Sequence, residues 1–307
     1  MKKILIATEK PFAKAAIDAI TPVVKEAGYE LALLEKYTEK AALLEAVKDA
    51  DALIVRSDKV TREVVEAAPQ LKIVVRAGAG FDNLDLAACT DHGIVAMNTP
   101  GQNSNAVAEL VLGMMVFIAR NGYNGTAGTE LRGKKIGIHA YGNVGHYVAE
   151  VAKGFGMEVY AYDPFVADEK IKAAGITPLA SVEELYASCD YVSLHIPANE
   201  HTKQSINYDL LNKMPQGATL VNTARKEVIH EEEILKLMAD RPDFTYISDI
   251  APDNKAEFEA QFEGRFFFTP KKMGAQTAEA NINAGVAAAR QIIAFLEKGD
   301  ETFRVNK

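Results

Sequence analysis

Short runs of β-branched and apolar residues alternate with longer amphipathic stretches through almost the whole chain, and this alternation restricts the fold more than any other feature. Two such runs with an amphipathic stretch between them are typical of a βαβ unit, in which a helix connects two parallel strands. The sequence therefore predicts an α/β protein with doubly wound parallel sheets.

The predicted strands fall into two series. The first comprises residues 3–7, 52–55, 73–75 and 94–97, with amphipathic helices at 12–27, 40–48 and 62–68. The second, more regular series comprises residues 135–140, 158–163, 191–196, 219–222, 245–249 and 266–269. Because a chain of 307 residues exceeds the roughly 250–300 at which one hydrophobic core stops growing, we expect two domains.

The domain boundary is predicted just before residues 105–119, which are apolar on nearly every face and indicate a helix buried at an interface. A last helix is expected at 278–297, ended by Gly299. It has no place beside a completed second sheet, so we expect it to return to the first domain. The expected division is 1–98 with 281–307 for the first domain and 99–280 for the second, with a cleft between them.

Charge and composition exclude several classes of protein. With 48% hydrophobic residues, 25% charged residues and a net charge of −8, the chain lacks the basic surface that nucleic acids or anionic membranes require. The apolar run after the first lysines is too short for a signal peptide, and no run of about 18 apolar residues indicates a membrane span. The two cysteines, Cys89 and Cys189, have no metal-binding or redox spacing, which indicates reduced thiols in a cytoplasmic protein.

The segment 136–145, Ile-Gly-Ile-His-Ala-Tyr-Gly-Asn-Val-Gly, runs from a predicted strand through a glycine-rich turn into a helix expected at 146–155. In a Rossmann fingerprint the second glycine lets the backbone approach a pyrophosphate and the third lets helix and strand pack closely, roles that Gly142 and Gly145 fit. Ala140 stands at the first glycine, where a positive φ would cost about 1 kcal/mol. The predicted phosphate loop consists of Tyr141, Gly142, Asn143, Val144 and Gly145.

The next predicted strand ends in Asp163-Pro164. A carboxylate about twenty residues after the fingerprint hydrogen-bonds the ribose hydroxyls of NAD and repels the extra phosphate of NADP. No arginine follows directly, so the expected cofactor is NAD. A structural role for Asp163, as a cap of the turn before proline, is compatible with this function.

Four further motifs follow in order: His-Ile-Pro at 195–197, Val-Asn-Thr-Ala-Arg at 221–225, Ser-Asp-Ile at 248–250 and Thr-Pro-Lys-Lys-Met-Gly at 269–274. Together with the fingerprint they resemble the D-2-hydroxyacid dehydrogenases over nearly the whole chain. In the first domain, segments 53–57, 76–83 and 98–104 are similar to the phosphoglycerate dehydrogenase branch of that family. The resemblance implies a homodimeric NAD-dependent oxidoreductase with a substrate-binding first domain and an NAD-binding second domain.

By this resemblance Arg225 would hold the substrate carboxylate and polarise the carbonyl group. A guanidinium is suited to both tasks because it is a rigid bidentate donor that stays charged. Arg225 directly follows a predicted strand end, where ligands collect in open α/β sheets. The alternative is a surface arginine in a salt bridge.

The acid/base residue departs from the family pattern. The usual histidine after Thr-Pro is absent, and counting back from Gly274 places Lys272 at its position, with Lys271 as an inserted neighbour. We hypothesise that Lys272 takes the role of the histidine. A free lysine, with a pKa near 10.4, readily donates a proton for carbonyl reduction, but about 4 kcal/mol of bias is needed to make it a base near pH 7.5. The alternative is that both lysines are exposed and another group transfers the proton.

The helper carboxylate of the family is also missing, because Asn254 occupies the position of its glutamate. Asp253, one residue earlier, is a candidate that could reach the lysine instead. A nearby carboxylate would, however, stabilise the ammonium and oppose its use as a base.

The substrate-binding residues implied by the resemblance are Arg56, Ser57, Arg76, Ala79, Gly80 and Asn103. Arg56 with Ser57 would hold the phosphate of 3-phosphoglycerate, and the residues from Ala79 onward would shape the carboxylate end. If Arg56 is instead a salt-bridged residue at a strand end, the substrate is a smaller acid such as glyoxylate or hydroxypyruvate.

The resemblance also places several residues against NAD, namely Asp163, Pro164, His195, Ile196, Pro197, Thr202, Thr223, Ala224, Asp249 and Gly274. His195 is expected to contact the cofactor rather than to catalyse. No histidines or cysteines are spaced as metal ligands, so no metal is expected.

Two further expectations concern an alternative, non-catalytic function and the regulation of the enzyme. The altered acid/base residues leave open a non-catalytic, nucleotide-sensing protein on the same fold. The chain ends soon after its last predicted helix, so the regulatory domains of longer phosphoglycerate dehydrogenases, and with them inhibition by serine, are expected to be absent.

Overall fold

The computed structural model describes residues 1–306, which form two compact units. The first unit comprises Met1–Asn103 together with the chain from Gln276 onward, and the second comprises Ser104–Ala275. Each unit contains one parallel sheet, of five strands in the first and seven in the second, with apolar clusters on both faces. The α/β class with two doubly wound parallel sheets is therefore confirmed.

The strands of the first unit are β1 (Lys3–Thr8), β2 (Glu30–Glu35), β3 (Ala52–Val55), β4 (Ile73–Arg76) and β5 (Val95–Asn98), arranged in the order β2-β1-β3-β4-β5. Helices α1 (Lys14–Glu26), α2 (Lys40–Ala46), α3 (Arg62–Glu66) and α4 (Leu86–Asp91) connect them. The sequence did not predict β2. It is an edge strand without a fully buried residue, so it lacks the continuous apolar run that marks the central strands.

The second unit begins with α5 (Ser104–Ala119) and continues with β6 (Lys135–His139), α6 (Asn143–Gly154), β7 (Glu158–Tyr162), α7 (Asp168–Ala173), β8 (Thr177–Pro178), α8 (Val182–Ser188), β9 (Tyr191–Leu194), α9 (Tyr208–Leu211), β10 (Thr219–Asn222), α10 (Glu231–Asp240), β11 (Thr245–Ser248), α11 (Lys255–Gln261) and β12 (Phe266–Phe268). The strand order is β12-β11-β10-β9-β6-β7-β8. The two-residue edge strand β8 was not predicted, because it is too short to show a periodic pattern.

Helix α5 packs inside the second unit. Its buried residues Val111 and Met115 belong to the same apolar cluster as Ile136 and Ile138 of β6 and Val148 of α6. Burial within this cluster accounts for the apolar character of much of the helix surface.

The last helix, α12 (Ala278–Lys298), belongs to the first unit and packs against α1. A Cβ on Gly285 would lie 2.6 Å from Cδ1 of Ile20, so glycine allows the close approach of the two helices. Gly299 ends α12 in the left-handed conformation, with a φ of 67°. The first unit is therefore discontinuous in sequence.

The chain crosses between the units at Asn103/Ser104 and at Ala275/Gln276, whereas the sequence places these crossings at 98/99 and 280/281. The first residue beyond β5 is held to the first unit by a hydrogen bond from the Thr99 amide to the Gly78 carbonyl over 2.9 Å. Within residues 1–306, no helix combines the length and the apolar character needed to cross a membrane.

Candidate active site and cofactor site

The strands of the second sheet are parallel, so their carboxyl ends lie along one edge. His139 pairs with Tyr162 and with Leu194, and Asn222 pairs with Leu194 and with Ser248. The strand order reverses between β9 and β6, which is where open α/β sheets bind ligands. The predicted cofactor and catalytic residues of this unit follow these strand ends, at 141–145, 163–164, 195–197, 223–225, 249, 272 and 274.

The turn after β6 keeps the backbone shape of a dinucleotide fingerprint in spite of its alanine. Ala140 has a φ of 81°, a left-handed conformation that costs a residue with a Cβ about 1 kcal/mol. A Cβ on Gly145 would lie 2.2 Å from the carbonyl oxygen of Ala140, so only glycine lets α6 approach the turn this closely.

The start of α6 fits a pyrophosphate group. A Cβ on Gly142 would meet no atom within 4 Å, and no side chain caps the first turn of this 12-residue helix within the described chain. Backbone amides at such a helix start attract anions. The helix begins at Asn143 rather than at 146 as predicted, because Gly142 is its N-cap.

The Asp163 carboxylate joins two loops at this edge. Its Oδ2 accepts a hydrogen bond from the Tyr141 amide and its Oδ1 accepts one from the Phe165 amide, both over 2.8 Å. Each carboxylate oxygen has a second lone pair, and the side chain is only half-buried. The structural role as a turn cap is therefore observed, and acceptor capacity for ribose hydroxyls is retained.

His195 lies just beyond the end of β9, with its Nε2 3.0 Å from the Ser193 hydroxyl oxygen. Burial, together with the nearby His139, lowers the pKa of His195 to about 3. Burial also lowers the pKa of His139 to about 4. Both rings are neutral at pH 7, which suits contact with a ligand and not general acid catalysis.

The loop after His195 is closed by Thr202, whose hydroxyl donates to the Pro197 carbonyl over 2.5 Å. Ile196 is buried beneath this loop, whereas Pro197 and Pro164 are exposed at the edge. Thr223, which follows β10, is buried, and its hydroxyl oxygen has no hydrogen-bond partner within the described residues. A buried hydroxyl without a partner, at the carboxyl edge of the second sheet, is available to hydrogen-bond a polar group of a ligand.

Arg225 is presented by a turn that Asn222 builds at the end of β10. The Asn222 side chain accepts from the Ala224 amide over 2.9 Å and donates to the Arg225 carbonyl over 3.0 Å. Nη1 of Arg225 donates to the Ala224 carbonyl over 3.0 Å, and no carboxylate of the described chain forms an ion pair with it. The half-buried guanidinium therefore keeps N–H donors for an anion.

The Lys272 ammonium lies next to this turn. Its Nζ is 3.0 Å from the Ala224 carbonyl oxygen, 3.3 Å from that of Thr223 and 3.2 Å from Oδ1 of Asp249. The three N–H donors of an ammonium thus face three acceptors. Lys272 and Arg225 donate to the same Ala224 oxygen, so the two predicted catalytic cations are brought together.

The hypothesis that Asp253 reaches Lys272 is wrong in this structure. Oδ1 of Asp253 lies 2.6 Å from Nζ of Lys226, and the side chain is 75% exposed. The Asp253 amide donates to the Glu231 carboxylate, which turns this segment toward α10. The carboxylate on Lys272 is Asp249, which sequence reasoning assigned to cofactor binding only.

The first unit presents its predicted substrate residues at the carboxyl edge of its own sheet. Nη1 of Arg56 donates to the carbonyls of Lys10 and Pro11, over 3.2 Å and 3.1 Å, and Nη2 donates to the Asn281 side chain. The guanidinium also lies 5.1 Å from the ring centroid of Phe12. Burial lowers the pKa of Arg56. The predicted alternative, a salt bridge at Arg56, is not found among the described residues.

Arg76, Asn83 and Asn98 shape the same edge. The Arg56 carbonyl accepts from Nε of Arg76 over 3.0 Å and from the Asn83 amide group over 3.4 Å. Asn98 donates to the Ala79 carbonyl over 2.6 Å. Ser57 and Ala79 are exposed, and Gly80 and Asn103 are half-exposed.

Sequence reasoning missed the asparagines whose side chains support the strand-end loops, Asn83, Asn98 and Asn222, and Asn281 of α12, which accepts from Arg56. Asn98 and Asn222 are the last residues of their strands, a position that marks them as candidates. Their hydrogen-bond partners depend on the packed structure. Within residues 1–306, no group of His, Cys, Asp or Glu is arranged to bind a metal ion.

Comparison with known proteins places these observations in a family. Residues 107–268 match the family described as D-isomer specific 2-hydroxyacid dehydrogenase, NAD binding domain. The hydroxypyruvate reductase of Thermotoga maritima is 33% identical over 288 residues, which cover 88% of this chain and 92% of that protein. The D-3-phosphoglycerate dehydrogenase of Methanocaldococcus jannaschii is 34% identical over 267 residues, and this chain spans only 51% of its length.

A solved structure is similar over the whole chain. The crystal structure of NAD⁺-bound 3-phosphoglycerate dehydrogenase from Entamoeba histolytica superimposes with a TM-score of 0.89 and 48% identity. The match covers 100% of this chain and 99% of that one.

Proposed function

Since this chain belongs to the D-isomer specific 2-hydroxyacid dehydrogenases, we propose that it is an NAD-dependent enzyme that interconverts D-3-phosphoglycerate and 3-phosphohydroxypyruvate, the first step of serine biosynthesis. The observation that carries this proposal is the shared Ala224 carbonyl oxygen, to which both Arg225 and Lys272 donate over 3.0 Å. A carboxylate-binding cation and a proton donor thereby lie side by side at the edge of the nucleotide-binding sheet.

NAD would be held by the phosphate loop at 141–145, by Asp163 and by the loop at 195–202. The glycines admit the pyrophosphate, the start of α6 favours its charge, and the Asp163 carboxylate accepts ribose hydroxyls. When bound, NAD supplies the oxidation and reduction, exchanging a hydride with C2 of the substrate.

Lys272 would replace the histidine of the family as acid and base. In the reductive direction the carbonyl oxygen of the 2-oxo acid would replace one of the backbone carbonyls that now accept from the Lys272 ammonium, and it would take the proton. In the oxidative direction the amine would accept the hydroxyl proton. Arg225 would hold the adjacent carboxylate with two parallel N–H donors and polarise the carbonyl group. Lys271 and Lys272 are both exposed, but within the described residues only the side chain of Lys272 contacts the Ala224 carbonyl and Asp249, so the proposal assigns no part in this step to Lys271.

Arg56 would bind the phosphate of the substrate, with Ser57 and Arg76 beside it at the same sheet edge. The backbone carbonyls of Lys10 and Pro11 and the amide of Asn281 orient the Arg56 guanidinium without neutralising it. A charged, pre-oriented arginine is suited to a phosphate group. Ala79, Gly80 and Asn103 would contact the carboxylate end of the substrate.

A second candidate function is reduction of hydroxypyruvate or glyoxylate. The observation in its favour is the hydroxypyruvate reductase of Thermotoga maritima, of which this chain covers 92%. Both candidates use the same residues for proton transfer and differ in the need for a phosphate contact at Arg56.

The test is NADH oxidation by the purified protein with 3-phosphohydroxypyruvate, hydroxypyruvate and glyoxylate, for the wild type, Arg56→Ala and Arg62→Ala. Arg62 is a matched control because it pairs with Asp91 on the surface of the same unit. We expect 3-phosphohydroxypyruvate to be preferred, and Arg56→Ala to lower that preference about ten- to a hundredfold. Equal or faster rates with the unphosphorylated acids would move the assignment to the second candidate.

A further inference from the structure

Asp249 is the carboxylate that the fold brings to Lys272. It directly follows β11, and its side chain is 0% exposed. Its Oδ1 lies 3.2 Å from Nζ of Lys272, while its Oδ2 accepts hydrogen bonds from the amides of Gly274 over 2.8 Å and Met273 over 3.3 Å. One buried carboxylate thus orients both the Lys272 side chain and the backbone that carries it.

Gly274 makes this close approach possible. A Cβ at this position would lie 3.0 Å from Oδ2 of Asp249 and 3.1 Å from Cγ2 of Val107. Any other residue would therefore require the Asp249 carboxylate or the Val107 side chain to shift by a few tenths of an ångström.

No other carboxylate in residues 1–306 forms an ion pair with Lys272. Asp253 is paired with Lys226, and Asn254, at the position of the family's glutamate, donates its side-chain amide to the Glu231 carbonyl. Asp249 is therefore the one carboxylate of residues 1–306 that is paired with Lys272.

The charge of Asp249 opposes a repulsion at this site. Lys272 and Arg225 donate to one carbonyl oxygen, so two cations lie close together. The Lys272 side chain is 43% exposed and long enough to turn toward solvent. A fixed anion on its inner side keeps Nζ next to Arg225.

We propose that Asp249 is a positioning residue for proton transfer by Lys272 and replaces the helper carboxylate of the family, an inference that rests on the proposed function. During reduction of a 2-oxo acid by NADH, an N–H bond of Lys272 breaks and an O–H bond forms on the carbonyl oxygen of the substrate. The bonding electron pair stays on the amine, which regains a proton from water. Asp249 takes no proton and acts by holding Nζ in place.

A double-mutant cycle tests this inference with the full-length protein. The four proteins are the wild type, Asp249→Asn, Lys272→Ala and the double variant, compared by kcat for 2-oxo acid reduction and by NADH affinity from fluorescence. We expect Asp249→Asn to lower kcat at least about tenfold while NADH affinity changes less than about threefold. In the Lys272→Ala background the same substitution should change kcat less than about twofold, because a residue that acts through Lys272 has no effect without it.

Two outcomes would overturn the inference. One is an equal loss of kcat in both backgrounds, and the other is weakened NADH binding with unchanged kcat, which would make Asp249 a cofactor contact only. If Lys272→Ala alone keeps wild-type kcat, the proposed acid/base residue fails, a result distinct from failure of the role of Asp249.

Melting temperatures show whether each variant folds. Where Asp249→Asn does not fold, Gly274→Ala replaces it in the cycle, because it keeps the charge but places a Cβ 3.0 Å from Oδ2. The same dependence on Lys272 is expected, and its absence would contradict the inference.

Discussion

The Lys272 ammonium and the Arg225 guanidinium donate to one oxygen, the carbonyl of Ala224, each over 3.0 Å. The partial negative charge of the Ala224 carbonyl oxygen and the full negative charge of the Asp249 carboxylate offset the repulsion between the two cations. The pair leaves an electropositive edge at the end of β10, and a small acid with a carboxylate next to a carbonyl group matches it.

Arg225→Lys tests the geometry of this pair, since it keeps the charge but removes the planar fork. We expect kcat/KM for the 2-oxo acid to fall about a hundredfold through loss of bidentate binding, with NADH affinity changed less than about twofold. Steady-state kinetics and NADH fluorescence titration measure the two quantities. A variant with wild-type kcat/KM would show that the position needs only a positive charge.

Gly142→Ala and Gly145→Ala separate cofactor binding from folding. At Gly142 a Cβ meets no protein atom within 4 Å, so we expect an unchanged melting temperature and NADH affinity weakened at least about tenfold. At Gly145 the Cβ would lie 2.2 Å from the Ala140 oxygen, so we expect a lower melting temperature. Unchanged NADH affinity in Gly142→Ala would contradict the assignment of the phosphate loop.

The two histidines with lowered pKa values, His139 and His195, predict a loss of stability in mild acid. The pKa of His195 is lowered to about 3 and that of His139 to about 4, so the unfolded chain binds their protons first as the pH falls below about 6.5. The contribution of these two rings to stability is therefore fully present above about pH 6.5 and decreases as the pH falls toward their folded-state pKa values.

His195→Gln removes one of these two contributions. Between pH 7 and pH 5 we expect it to reduce the loss of unfolding free energy by up to about 2 kcal/mol, measured by urea denaturation at both pH values. His201→Gln, at an exposed position, serves as the control. An identical pH dependence in wild type and His195→Gln would show that this ring titrates normally.

Asp253→Asn tests the corrected assignment of the carboxylates. Asp253 pairs with Lys226 and is 75% exposed, and exposed ion pairs contribute little to stability. We expect kcat within about twofold of wild type and a small change in melting temperature. A tenfold loss of kcat would return Asp253 to the proton-transfer step.

The sequence predicted the central strands because they are buried on both faces and contain continuous apolar runs, as in β3. It missed β2 and β8, since half-exposed or very short edge strands lack this signal. The candidate site was largely predictable because its residues follow strand ends, and parallel pairing brings these ends to one edge.

The supporting contacts were not predictable in the same way. Asp249 and Asp253 are separated by one short segment in sequence, and only the packed structure directs one to Lys272 and the other to Lys226. The same holds for Arg56, whose partner Asn281 comes from the last helix. Such contacts depend on tertiary geometry and not on local spacing.

Turnover of Lys272→Ala, with Lys271→Ala as the matched control, tests the central claim most directly. We predict that Lys272→Ala lowers kcat about 10²- to 10⁴-fold with NADH affinity retained, that added ethylammonium restores part of the rate, and that Lys271→Ala stays near wild type. Wild-type turnover in Lys272→Ala, or the loss in Lys271→Ala instead, would contradict the account.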